Sequence, residues 1–168
     1  MYYFFKSSVI IFSLTFSQGL YAMFDKDYAK FVGVGSIFIR DGKALLVLRE
    51  KTGRNDNLYG LVGGLVKSGE SVLHGALREI REEVGVEVKP EDMQLVHCIS
   101  SREDYSGEVV GLYFLVKQWV GEPFNKKSDK HSEVTWFSLN ELPKNIIVRN
   151  KQALEMMQKG IPYSEYGW

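Results

Sequence analysis

Glu79, Glu82 and Glu83 stand within five residues of one another in the stretch GALREIREEVGVEV. On a helix their i, i+3 and i+4 spacing brings all three carboxylates to one side. Clustered carboxylate oxygens are ligands for a hard divalent cation such as magnesium or calcium. A merely solvated acidic face is the plainer reading, and it has a cost here. Like charges at i, i+4 repel, and acids in the second half of a helix oppose its macrodipole. Arg78 offsets part of this by reaching Glu82 at i+4. Upstream lie Glu70 and a glycine-rich turn from Gly60 to Gly64, where backbone can approach a ligand closely.

A helix from about Ser71 to Val84 must carry these acids. Val72, Leu73, Ala76, Leu77, Ile80 and Val84 fill one apolar arc, which predicts packing on a sheet, with the glutamates on the neighbouring arc. Gly85 is placed to end the helix in a left-handed conformation.

Around that helix the sequence reads mostly as strands. FVGVGSIFI (31–39) and KALLVLRE (43–50) flank the hairpin turn Asp41–Gly42. KTGRNDNLYG (51–60) is a polar loop. MQLVHCISS (93–101) and EVVGLYFLVKQWV (108–120) are joined by the turn YSG, and VTWFSL (134–139) is a short strand after a second polar loop. NKQALEMMQKG (150–160) closes the chain as a helix that stops at Gly160. Strands around two helices in mixed order predict an α+β domain, with helices and sheet in layers.

The composition is that of a globular domain, and Lys plus Arg equals Asp plus Glu at 21 each. No global basic field gathers nucleic acid, so a polyanion must be held by local arginines or by metal. The single Cys98 excludes an internal disulfide and is expected to be a buried small hydrophobe. Residues 1–22 have the outline of a secretory signal, with one early lysine and an apolar run too short to span a bilayer. We read Met23 as the true start and 23–168 as one cytoplasmic domain; the rival is a genuine signal peptide and export. No membrane partner is expected.

The spacing of the polar residues is specific. From Gly64, five residues lead to Glu70 and seven more to Arg78–Glu79; then follow Ile80, Arg81, Glu82–Glu83, Val84, Gly85 and Val86. This resembles, without gap or substitution, the signature of the Nudix hydrolases. Its seven fixed identities arise by chance at a given position on the order of once in a hundred million, from average residue usage.

The resemblance implies a mixed sheet sandwiched between helices, an α/β/α arrangement with the motif of residues 64–86 as loop–helix–loop. It implies hydrolysis of a nucleoside diphosphate linked to a further group, with magnesium or manganese. By position, Glu79, Glu82 and Glu83 resemble the metal-binding carboxylates and the Gly63 carbonyl a backbone ligand. Arg78 would orient the acids and Glu70 would brace the loop. Divalent cations neutralise phosphate oxygens and activate water, and Glu79 or Glu82 can accept the water's proton. Arg49, at the end of its strand, is a candidate phosphate contact.

Two departures stand out. The family's frequent proline before the paired glycines is Val62, and an acidic residue common after the GEP loop in MutT-like members falls in NKK, with Lys127. Asp129 or Glu133 could substitute, or the site has one ligand fewer. His74, His97 and His131 show no metal-ligand spacing. In MutT-like enzymes an asparagine near the closing helix contacts the base, which makes Asn145 and Asn150 candidates; Asn150 is equally suited to cap that helix.

The leading expectation is a MutT-like pyrophosphohydrolase releasing pyrophosphate from a nucleoside triphosphate. The alternatives are cleavage of ADP-ribose or another nucleoside diphosphate derivative, and a Nudix-fold regulator without turnover. The expected partner is a small-molecule nucleotide, with no nucleic acid; a homodimer is the assembly to test.

Overall fold

The computed structural model describes residues 30–103 and 107–168, so the leader and most of the YSG turn lie outside the described residues. The described residues form eight strands: β1 (Lys30–Arg40), β2 (Lys43–Arg49), β3 (Tyr59–Gly60), β4 (Val62–Leu65), β5 (Met93–Glu103), β6 (Gly107–Val116), β7 (His131–Ser138) and β8 (Tyr163–Tyr166). Among the described residues two α-helices accompany them, α1 (Val72–Glu83) and α2 (Val148–Gln158). The main path of the sheet runs β3-β2-β1-β6-β5-β8, with β4 paired to β1 and β7 to β2. Most pairs are antiparallel, but β1 and β6 run parallel, as do β5 and β8. The sheet is mixed, and the domain is α+β.

Strand β1 organises the layers because its side chains alternate between two cores. Val34 and Phe38 face α1, packing with Ala76, Leu77 and Ile80. Ile37 faces the other way, toward Ala153 and Leu154 of α2. The α1 arc therefore packs as its periodicity predicts: Ala76, Ile80 and Val84 are each at most 1% exposed. Among the described residues no helix is long and apolar enough to cross a membrane.

Four local details differ from the sequence reading. The glycine-rich segment read as a turn is largely strand β4, antiparallel to β1 through Gly33↔Leu65, Val34↔Gly64 and Gly35↔Gly63. Glycine carries no side-chain pattern, so periodicity could not reveal a strand whose purpose is close backbone approach. Helix α2 begins at Val148 with Ile147 at its N-cap, so Asn150 sits inside the first turn and does not cap it. The tail YSEY pairs with β5 as β8. Cys98 is only partly buried, between β6 and β8.

Candidate active site

Helix α1 starts cleanly: Ser71 accepts the His74 N–H, and Glu70 just ahead of it accepts from the Lys67 N–H at 3.1 Å. It ends where the Val84 and Gly85 amides both bond Ile80 O and Gly85 takes φ +70°. These two ends fix the register of the acids.

Arg78 then ties the motif together. Its Nε donates to Glu70 Oε1 at 2.8 Å and its Nη2 to Glu70 Oε2 at 3.0 Å, a bidentate pair. Nη1 donates to Glu79 Oε1 at 2.6 Å, and Nη2 also reaches Leu65 O at 3.2 Å. The guanidinium beside Glu70 holds that carboxyl down to about 2. Arg78 itself is raised, first by its bond to Glu70. One side chain thus locks β4, the loop and the helix together.

The three glutamates of α1 occupy different environments. Glu82 is half-exposed, with its side chain at 42%. Glu79 and Glu83 are buried, at 6% and 3%. Glu79 reaches the backbone of β4: a Cβ on Gly64 would lie 2.5 Å from its Oε1. Glu83 accepts a hydrogen bond from the Gly63 N–H at 2.9 Å, and its other oxygen lies 3.5 Å from His131 Nε2. Burial pushes the Glu83 carboxyl up to about 8, against the pull of the Gly63 amide. Burial and the nearby Arg49 and Lys127 charges push His131 down to about 4. The imidazole is neutral at pH 7.

Glu79 and Glu82 converge on one cation. Lys127 Nζ lies 3.7 Å from Glu79 Oε2 and 3.6 Å from Glu82 Oε2. Hard carboxylate oxygens already arranged around an ammonium fit a magnesium or manganese ion. Glu83 points instead at the Gly63 amide, so among the described residues no three acidic, histidine or cysteine side chains form a closed metal cluster. Neither suggested substitute ligand joins the pair. Glu133 accepts from Tyr59 OH at 2.7 Å and is bonded by Thr135, and Asp129 sits in the exposed turn before His131.

A cavity of about 360 Å³ opens beside this cradle, over the α2 face of the sheet. Gly33, Gly35 and Gly111 provide the space, and Tyr113 borders it; a Cβ on Gly35 would lie 2.6 Å from the Tyr113 ring. Arg49, Arg54 and Arg149 line it, with Gly63 and Gly64 on the wall toward the glutamates. Arg49 is partly buried, which lowers its pKa, while the Glu83 charge works in the opposite direction. Asn150 is buried on the cavity wall and donates to Tyr113 OH at 3.4 Å. Asn145 is elsewhere: it is exposed and donates to Asn57 O at 2.9 Å.

The fold thus gathers Gly63, Glu70, Arg78, Glu79, Glu82 and Glu83 at one place and Arg49 and Asn150 at its side, and leaves Asn145 out. Sequence reasoning missed Tyr113, Arg54 and Arg149 in the cavity and His131 behind Glu83. The remaining histidines are structural. His97 is bonded to Ile161 O and Ser164 Oγ, both at 2.9 Å, and His74 Nδ1 lies 3.0 Å from Ser71 Oγ.

A mixed sheet between two helices, with the acids of the first helix locked to a glycine strand, defines a class, and comparison with known proteins names it. Residues 29–157 match the NUDIX domain, and the chain belongs to that family. An ADP-ribose pyrophosphatase of Methanocaldococcus jannaschii is 35% identical over 113 residues, covering 67% of this chain and 64% of that one. The chain therefore spans under two thirds of that relative's length. The CTP pyrophosphohydrolase of Escherichia coli (strain K12) is 29% identical over 110 residues, or 64% of this chain and 76% of that one. Among solved structures, the MutT NUDIX hydrolase of Burkholderia pseudomallei superposes with a TM-score of 0.70 at 29% identity, covering 76% of this chain and 98% of that one.

Proposed function

We propose that this chain is a metal-dependent pyrophosphohydrolase that converts a nucleoside triphosphate to the monophosphate and pyrophosphate. The observation that carries this reading is the convergence of Glu79 and Glu82 on one cation position, next to a cavity lined by three arginines. A cavity of about 360 Å³ suits one nucleoside unit, and three guanidinium groups suit a chain of phosphates.

The chain's own residues divide the work. Arg49, Arg54 and Arg149 take the phosphate oxygens and hold the substrate against β4. Arg78 fixes Glu79 through its 2.6 Å bond while gripping Glu70, so the carboxylates do not reorganise during the reaction. Glu79 and Glu82 would hold a divalent cation, with Glu83 and the Gly63 backbone behind them. Such a cation supplies neutralisation of the phosphate oxygens and acidifies water. Water adds to one phosphorus, the bridging P–O bond breaks, and pyrophosphate leaves with the bridging electrons. The water's proton passes to a glutamate, Glu79 or Glu82. We place this activity in the cytoplasm, where nucleotides are abundant.

The second reading, hydrolysis of ADP-ribose or a related nucleoside diphosphate derivative, is favoured by the archaeal relative named for that activity. A screen of nucleoside triphosphates and ADP-ribose with magnesium separates the two, with products identified by chromatography. Pyrophosphate and a nucleoside monophosphate support the first reading. AMP with ribose phosphate, at a higher kcat/KM, replaces it with the second.

A further inference from the structure

The carboxylate cradle already contains a cation of its own. Lys127 Nζ sits between Glu79 Oε2 and Glu82 Oε2, at 3.7 and 3.6 Å. Its side chain is 31% exposed, so the ammonium is partly withdrawn from water. Lys67 approaches Glu82 from the other side, at 3.9 Å from Oε1, but stays on the surface at 64% exposure.

The backbone bearing Lys127 is held against the end of α1. The Phe124 N–H donates to Val84 O and the Lys126 N–H to Glu83 O, each at 3.1 Å. The Lys130 and His131 amides both donate to Lys127 O at 2.9 Å, and Asn125 Nδ2 donates to His131 O at 2.7 Å. The Phe124 ring fills the space over Gly85, where a Cβ would lie 2.3 Å from it. With its backbone pinned there, the ammonium reaches the two carboxylates in the second half of α1. A shallow groove lined by Arg78, Arg81, Glu82, Lys126 and Lys127 leaves the position open to exchange with solutes.

We propose that Lys127 is a resident counter-ion of the cradle: its ammonium occupies one cation position when divalent metal is absent and competes with a divalent ion for Glu79 and Glu82. This rests on the reading of the cradle as a metal site and adds a competitor to it. Lys127 is a positioning residue, acting on the substrate only through the acids it pairs with. The competition makes that cation position weak in the free protein.

Binding of Mn²⁺ to the full chain without nucleotide, followed by the electron paramagnetic resonance signal of free Mn²⁺, tests this directly. Removing a contact from a merely structural lysine weakens binding or leaves it alone; removing a competitor tightens it. Lys127→Met is expected to tighten Mn²⁺ binding by about thirtyfold, the scale of a unit charge about 4 Å from a divalent ion in water. Lys127→Gln gives a second neutral side chain should the methionine variant not fold, and Lys127→Arg should stay near wild type. Glu82→Gln should weaken binding. Neutral variants that bind Mn²⁺ no more tightly than wild type, while Glu82→Gln still weakens it, overturn the counter-ion and leave the cradle standing. No Mn²⁺ binding by wild type or any variant overturns the metal site and this inference with it.

Discussion

The Gly63 N–H donates to Glu83 Oε2 at 2.9 Å, joining strand β4 to the last turn of α1 across 20 residues of sequence. The contact exists because the middle of β4 is glycine: a Cβ on Gly63 would lie 2.0 Å from Val34 O. Without that close pairing the strand could not bring its amide to the buried acid. The motif glycines and glutamates are therefore one structure, with strand and helix each fitted to the other.

Glu82 and Glu83 make different demands on the fold. Glu82→Gln should lower turnover by about 10²–10⁴-fold, the range for loss of a charged group at a proton-transfer site, with an unchanged melting temperature because the side chain is half-exposed. Glu83→Gln should also lose activity, yet melt at or above wild type in metal-free buffer. Its amide still accepts from Gly63, and the cost of burying a carboxyl that the unfolded chain holds ionised is gone. Steady-state kinetics and thermal melts check both; a Glu82→Gln enzyme keeping over half the wild-type rate would refute the assignment.

Ile80 is 1% exposed in the core beneath α1, so Ile80→Ala should cost about 2–5 kcal/mol through the cavity it leaves. Urea denaturation measures this, and an unchanged midpoint would contradict the packing of the helix.

The Glu70–Arg78 pair carries a pH signature. Glu70 is held down to about 2 from an ordinary 4.5, so the unfolded chain binds more protons between those values. Its contribution to stability is therefore complete above pH 4.5 and is lost as pH falls toward 2. Wild type and Glu70→Gln should differ in melting temperature at pH 6 and converge in acid. A gap that persists at pH 2 would mean the pair acts through packing and not through charge.

Asn150 and Asn145 should separate in kinetics. Asn150 lines the cavity, so Asn150→Ala should raise KM for the preferred nucleotide and flatten discrimination among bases, with kcat nearly unchanged. Asn145 is exposed and bonded to Asn57 O, so Asn145→Ala should leave base preference as it is. Equal use of all nucleoside triphosphates by the wild type would remove base reading from the account.

The sequence carries the motif and the helix well, because Glu70, Arg78 and the three glutamates are local and helical periodicity fixes their faces. What escaped it depends on pairing between distant segments. Tyr113 borders the cavity because β6 lies parallel to β1 with Gly35 opposite it, a register no local pattern encodes. β4 was hidden because glycines show no alternation. Lys127 read only as a departure from the family's pattern, since its ammonium reaches the cradle through a loop pinned by the backbone bonds of Phe124 and Lys126. Asn150 resembles a cap in sequence, but the helix gains two residues ahead of it and turns its amide toward Tyr113.

The central claim is that the α1 glutamates perform phosphoanhydride hydrolysis with a divalent cation. Its most direct test is phosphorus NMR of the preferred nucleoside triphosphate with wild type and Glu82→Gln, each with magnesium and with EDTA. Wild type with magnesium should give inorganic pyrophosphate and nucleoside monophosphate, and the other three samples should keep the substrate intact. Hydrolysis by wild type in EDTA, or by Glu82→Gln at the wild-type rate, would contradict it.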